Sequence, residues 1–259
     1  MSKQFYFFLD ESGDPSLYGK GKIPLWEKPD FEPILMLGMI VVENRKALRK
    51  KIIDFQNYIL SDPLFNTIPS LQKPNWFLHA SKDHFEVRLK FIEFLRAQPD
   101  ISCYVVIGRK IPEIFHNKHN GKTSEFYFDL IDKLLSRFDF EKDAECTLYL
   151  SQRQSNTVEK FSNALEKALK KQNKQLSHAT FSCSIVRSSE MPEMSVVDYY
   201  LWVLNRYIKK NKEEDRRYFT VLENNFVEII DVYENGGKGI VYNKENLFEM
   251  SKIRSFEIK

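Results

Sequence analysis

Cysteine is scarce in this chain. Three occur among 259 residues, Cys103, Cys146 and Cys183, and no two form a CxxC pair. An odd, widely spaced set in apolar, strand-like surroundings excludes a disulfide scaffold and predicts reduced core thiols in a cytoplasmic protein. Long apolar runs are missing as well. The longest, Pro33–Val42, falls far short of the roughly 20 residues that span a bilayer, so no membrane association is expected. Asp10 and Glu11 interrupt the only early apolar stretch, which argues against a signal peptide. Neither charge dominates: 39 Lys and Arg stand against 36 Asp and Glu, a net charge of +3. Bulk attraction to a polyanion is therefore no argument, and any nucleic-acid surface has to come from local patches. The chain has no P-loop, dinucleotide-binding fingerprint or GxSxG elbow. His84, His116, His119 and His178 do not combine with the cysteines into a zinc set. No repeat, low-complexity segment or long linker divides it, so residues 1–259 are expected to form a single domain.

What is present is bulky and aromatic. Twenty-one Phe and 12 Tyr in a chain that is 42 % hydrophobic predict a sizeable core. Residues 5–9 (FYFFL) are apolar at consecutive positions, which marks a strand buried on both faces, and they run into Asp10-Glu11-Ser12-Gly13-Asp14. Residues 15–33 carry Pro15, Gly19, Gly21, Pro24, Pro29 and Pro33 and read as a loop. Further strands are predicted over 34–42, 101–108, 145–150 and 179–186. Helices are predicted over about 46–60, from Ser81 or Asp83 as N-cap to Arg96, and over 124–138, 157–172 and 194–209. This order makes the first three strands an antiparallel meander, and right-handed crossovers bring the fourth beside the first. The expected architecture is α/β: a mixed five-stranded sheet with helices on both faces, 1–211 as core and 212–259 as a C-terminal extension. In such sheets sites form at the carboxyl ends of the central strands, and Asp10 ends the first strand there.

Three carboxylates in the turn after that strand repel one another unless a cation neutralises them. Hard oxygen ligands of this kind suit Mg²⁺ or Mn²⁺ rather than zinc. Side-chain alternation puts Asp10 and Glu11 on opposite faces, while Gly13 permits a bend that could return Asp14. Asp198 is the single charge within VVDYYLWVL and borders a helical apolar stripe of Val197, Leu201, Leu204 and Ile208. It needs a partner there: a cation, Arg206, or the N–H groups of its own helix start. His79 stands between an apolar segment and a helix start, where it contacts a phosphate, acts as an acid or base, or orients the loop. Lys82 and Arg88 nearby are either phosphate contacts or solvated helix charges. The basic segments Arg45–Lys51, Lys167–Lys174 and Lys209–Arg217 are either solvated faces or a rim that tracks a phosphate backbone.

The segments FFLDESGDP, FLHASKDHFEVR and SVVDYYLWVLNRYIKKNKEEDRRYF, with the tail IIDVYENGGKGIVYNKENLF, resemble the bacterial domain-of-unknown-function family numbered 3800. The resemblance covers nearly the whole chain. It implies a ribonuclease-H-like fold and a metal-dependent nuclease acting on DNA or RNA, associated with phage defence or mobile elements. Asp10, Glu11 and Asp14 match the family's acidic turn, His79 and Ala80 its HA element, and Asp198 its helix carboxylate. By that likeness Asp10, Asp14 and Asp198 are the expected Mg²⁺ or Mn²⁺ ligands. Asp10, Glu11, Asp198 and His79 are the expected catalytic residues, and Ser12, Lys82 and Ser151 the expected substrate contacts. The chain departs from the pattern at the end of the fourth strand, where Ser151 stands in place of an acid. A hydroxyl is a much weaker ligand, so a catalytically impaired module that binds nucleic acid or protein is the alternative expectation. A nucleotide-processing hydrolase is a third.

Overall fold

The computed structural model describes residues 3–137, 143–152, 180–209, 213–234 and 239–256, together with positions 163, 166, 167 and 170. The sequence FYFFL does form a buried strand, β1 (Gln4–Ser12), and ILMLGMIVV forms β2 (Ile34–Val42), buried at every position. Such strands need cover on both faces, and they lie at the middle of one mixed sheet of seven strands. The others are β3 (Ser102–Arg109), β4 (Glu145–Ser151), β5 (Thr180–Val186), β6 (Phe226–Asp231) and β7 (Ile240–Tyr242), in the spatial order β5-β4-β1-β2-β3-β6-β7. β1, β2 and β3 form an antiparallel meander, β4 lies parallel beside β1, and β5 parallel beside β4.

The sheet is wider than the five strands expected. Residues 226–242, assigned to an appended extension, supply β6 parallel to β3 and β7 antiparallel to β6. The physical reason is that β3 is buried along most of its length, so the backbone N–H and C=O groups of its outer edge need a strand to pair with. Arg109 then locks the join. Its guanidinium donates to both carboxylate oxygens of the fully buried Asp231, pairs with Glu234 at 2.9 Å, and caps the carbonyls of Arg254 and Ser255.

Helices cover both faces. On one side lie α1 (Arg45–Ser61), α2 (Phe85–Arg96), α5 (Met194–Lys209) and α6 (Glu213–Leu222), packed with Phe8, Met36 and Ile40. On the other, α3 (Pro112–His119) and α4 (Thr123–Leu135) pack with Phe7, Leu9 and Leu37. α1 starts where Asn44 Oδ1 accepts the Ala47 N–H at 3.0 Å. α3 was not anticipated, although Pro112 at its first turn and Asn120 in the left-handed conformation after its end are its signals. α2 begins at Phe85, with His84 as N-cap, not at Ser81 or Asp83. The helix expected over 157–172 and the basic segment 167–174 fall largely outside the described residues. Cys103 and Cys146 are buried as expected, but Cys183 is exposed, because β5 is an edge strand. Among the described residues no helix is long and apolar enough to cross a membrane.

α5 crosses β1 and β2 at short range. Gly38, paired in register with Asp10, makes this possible: a Cβ there would stand 2.8 Å from Leu201 Cγ. The missing side chain lets α5 seat against the sheet one turn beyond Asp198.

Candidate functional site

The carboxyl ends of β1 and β4 open into a cleft of about 540 Å³. Asp10, Glu11, His79, Lys82, Ser151 and Asp198 all line it, with Gln152, Arg187 and Ser188. Segments that lie far apart in the chain meet here, as the placement of the site at strand termini requires.

β1 delivers Asp10 to the α5 face. Two residues on, Ser12 shares that face, and its Oγ accepts a hydrogen bond from Asn205 Nδ2 of α5 at 3.0 Å. Ser12 is thus tied to the helix and is not among the residues lining the cleft. Alternation sends Glu11 the other way. Its side chain is buried and Oε2 accepts from Tyr127 of α4 at 2.5 Å. That bond ties Glu11 to the α4 layer, although the residue still contributes to the cleft lining. Gly13 adopts φ +100° to end the strand, a conformation that favours glycine. The chain does not fold Asp14 back: Asp14 is exposed, lies outside the cleft lining, and its Oδ1 accepts the Ser16 N–H in a local turn. The expected metal-ligand role of Asp14 is at odds with this position. The register Leu9–Leu150 sets Ser151 beside Asp10 on the neighbouring parallel strand, where it shares a hydrogen bond with Ser188 at 3.1 Å.

Asp198 does not cap its own helix. Its Oδ2 accepts the Ala80 N–H at 2.7 Å and lies 3.5 Å from His79 Nδ1. The next residue of α5, Tyr199, holds the same loop through Asp83. That carboxylate is 5 % exposed and accepts from Tyr199 O–H at 2.7 Å, His79 N–H at 2.8 Å and Trp76 Nε1–H at 3.1 Å. Arg88 of α2 adds a bond to the Ala80 carbonyl at 2.7 Å. The backbone of His79 and Ala80 is therefore held through both residues' N–H groups and the Ala80 carbonyl, which places the imidazole at the cleft wall. Burial raises the Asp83 carboxyl above its ordinary value, against the bonds from Tyr199, His79 and Trp76. Glu193, fully buried just before α5, anchors the helix start through Arg45 at 2.9 Å and Arg49 at 3.3 Å. These two members of the Arg45–Lys51 segment serve an internal ion pair and not a phosphate rim.

Asp83, Glu193 and Arg88 are the residues that sequence reasoning missed or misassigned. Asp83 looked like a helix cap because it sits two residues before α2. Its real targets are a backbone N–H four residues earlier and a tyrosine 116 residues later. Only the aromatic residues around it hinted at a buried carboxylate.

Two hard carboxylates facing one polar cleft suit a divalent cation whose other ligands are water and substrate oxygens. They do not make a cage by themselves. Among the described residues no group of three or more His, Cys, Asp or Glu side chains is placed to hold a metal ion. Compared with known proteins, the chain matches no family model and no curated sequence.

Proposed function

We propose that this chain is a cytoplasmic, ribonuclease-H-like hydrolase of nucleic-acid phosphodiester bonds that uses Mg²⁺ or Mn²⁺ held by Asp10 and Asp198. The supporting observation is the convergence of Asp10, His79, Ser151 and Asp198 on one cleft at the ends of β1 and β4. When bound, the ion would lower the pKa of a water and neutralise charge on the phosphate. Asp10 and Asp198 would hold it, with water and substrate oxygens as its further ligands. Asp198 also orients His79 through Nδ1, so that Nε2 is the ring atom available to a substrate or leaving-group oxygen. Exposed Lys82 and Arg187 at the cleft mouth receive flanking phosphates.

The test is cleavage of labelled DNA and RNA substrates with Mn²⁺ and with EDTA. Asp10→Asn and Asp198→Asn are each expected to lower the rate about a hundredfold or more with the melting profile retained. Equal cleavage in EDTA, or full activity of Asp10→Asn, overturns the proposal. Ser151 in place of an acid favours a second reading, a module that binds nucleic acid or a protein without cutting. Calorimetry separates the two, because this second reading expects no Mn²⁺ binding at millimolar concentration.

A further inference from the structure

An edge strand offers a row of unpaired N–H and C=O groups to any second chain, and sheets blunt such edges with Lys, Pro, a bulge or a very short strand. β7, at one edge of this sheet, is short: three residues, closed by the Asn243–Asn246 turn. β5, at the other, has none of these devices. It is seven residues long, TFSCSIV, without a charge or a proline, and it pairs with β4 in one unbroken register. Ser182 to Ile185 are exposed, Ile185 by 37 %.

The pairing with β4 fixes which backbone groups face outward. In parallel strands alternate residues bond to one neighbour through both N–H and C=O. Thr180 N–H donates to the Ala144 carbonyl, and the Val186 carbonyl accepts from Gln152 N–H, so the even positions of β5 are turned toward β4. Positions 181, 183 and 185 therefore direct their N–H and C=O groups away from it, and among the described residues no strand lies beyond to receive them. The residue types in this row are mirrored about Cys183. β-Branched Thr180 answers Val186, apolar Phe181 answers Ile185, and Ser182 answers Ser184. A strand laid antiparallel on its own copy, Cys183 to Cys183, sets each type opposite its like and opposes no charges. A two-fold contact requires such self-complementarity, whereas an unrelated partner places no such demand on the sequence.

We infer that β5 joins a second copy of this chain, antiparallel and centred on Cys183, so that two sheets become one across a two-fold axis. Positions 181, 183 and 185 then exchange about six hydrogen bonds with positions 185, 183 and 181 of the second copy. The antiparallel sense sends the two clefts to opposite ends of the joined sheet. Val186 meets the partner's Thr180 next to Arg187 of the cleft, so the start of the partner's strand adds to the cleft mouth. Nothing in this pairing depends on the chemistry of the cleft.

Sedimentation equilibrium of the full chain over a range of concentrations reads the assembly. The wild type is expected to reach about 61 kDa, twice the 30.7 kDa of one chain. Cys183→Lys and Cys183→Asp each set two like charges face to face at the axis and are expected to weaken self-association about tenfold or more. Mixed in equal amounts, the two are expected to restore the dimer, which requires position 183 to lie opposite itself. Thermal melts identify a variant that has lost its fold. Diamide, which takes up the two thiol hydrogens as a sulfur–sulfur bond forms, gives a second measurement that needs no charged variant. The Cα separation of a hydrogen-bonded antiparallel pair, about 5.5 Å, suits a disulfide. Cys103 and Cys146 are buried, so the wild type is expected to give a disulfide-linked dimer and Cys183→Ser none. A wild type that stays monomeric at every concentration overturns the pairing. So do folded charge variants that dimerise alone, a mixture of them that does not, and a diamide-linked dimer that persists in Cys183→Ser.

Discussion

Asp83 shows how one buried carboxylate sets a site without facing it. Three donors converge on it, and one of them is the His79 N–H. Asp83→Ala strands all three and is expected to cost on the order of 3 kcal/mol. Asp83→Asn keeps the shape and an acceptor and is expected to cost less. Because burial raises the folded-state pKa above the ordinary 3.8, the folded protein binds this proton more tightly than the unfolded chain. The stability of the wild type relative to Asp83→Asn is therefore fully present below the unfolded carboxyl's pKa. It falls as pH rises through the raised folded value. Urea unfolding of both proteins across the acid range measures this, and a difference that stays flat with pH refutes it. Residues of this type explain what the sequence did and did not disclose. Asp10, His79 and Asp198 stand out because a charge or imidazole interrupts an apolar run. Glu11 stands out equally, yet alternation along β1 already put it on the far face, where Tyr127 takes it. Asp14 and Asp83 misled because short Asp-rich segments look the same whether they bind a cation, turn the chain or hold a distant peptide.

At the scale of elements, the distance between α5 and the sheet decides whether Asp198 and Asp10 act together. Gly38 sets that distance beside Asp10, and Gly108 does the same on the opposite face, where a Cβ would stand 2.8 Å from Leu130. Gly38→Ala and Gly108→Ala both overpack a layer, and each is expected to cost about 1–3 kcal/mol. Their functional effects should differ. Gly38→Ala lifts α5 from β1 and is expected to weaken Mn²⁺ binding and cleavage tenfold or more, because an ångström-scale misplacement at a site is costly. Gly108→Ala moves α4, which carries no cleft residue, and should leave both nearly unchanged. Calorimetry with Mn²⁺ on the pair reads the difference, and equal metal affinity in the two variants would show that α5 seating does not govern the site. The first five strands are legible in the sequence because their apolar runs are long and closed by breakers. The glycine seat was not, because a glycine inside a strand looks like a weakness until the helix that uses it is in view.

At the scale of the molecule, the C-terminal segment is part of the sheet and not an addition to it. Within the extension the sequence does carry a β-branched, strand-like segment at 227–233. What it could not show is that β3 still lacked a neighbour, since strand order is a property of the whole chain. Removing residues 212–259 would expose the edge of β3. It would also strip Phe219, Phe226, Tyr242 and Phe248 from the core beside Tyr200 and Tyr207. The buried Arg109 would be left without Asp231 and Glu234. An uncompensated buried charge alone costs about 3–5 kcal/mol, a large share of the 5–15 kcal/mol that holds a domain together. A fragment of residues 1–211 is therefore expected to bind hydrophobic dye and to unfold without a cooperative transition. In the full chain Arg109→Met removes the same ion pairs while keeping volume, and it should lower stability by several kcal/mol, because Asp231 stays buried without its partner. Denaturant unfolding of both tests the idea. If the fragment instead melts cooperatively with an m-value scaled to its length, the first 211 residues form an independent core, and β6 and β7 only shelter its edge.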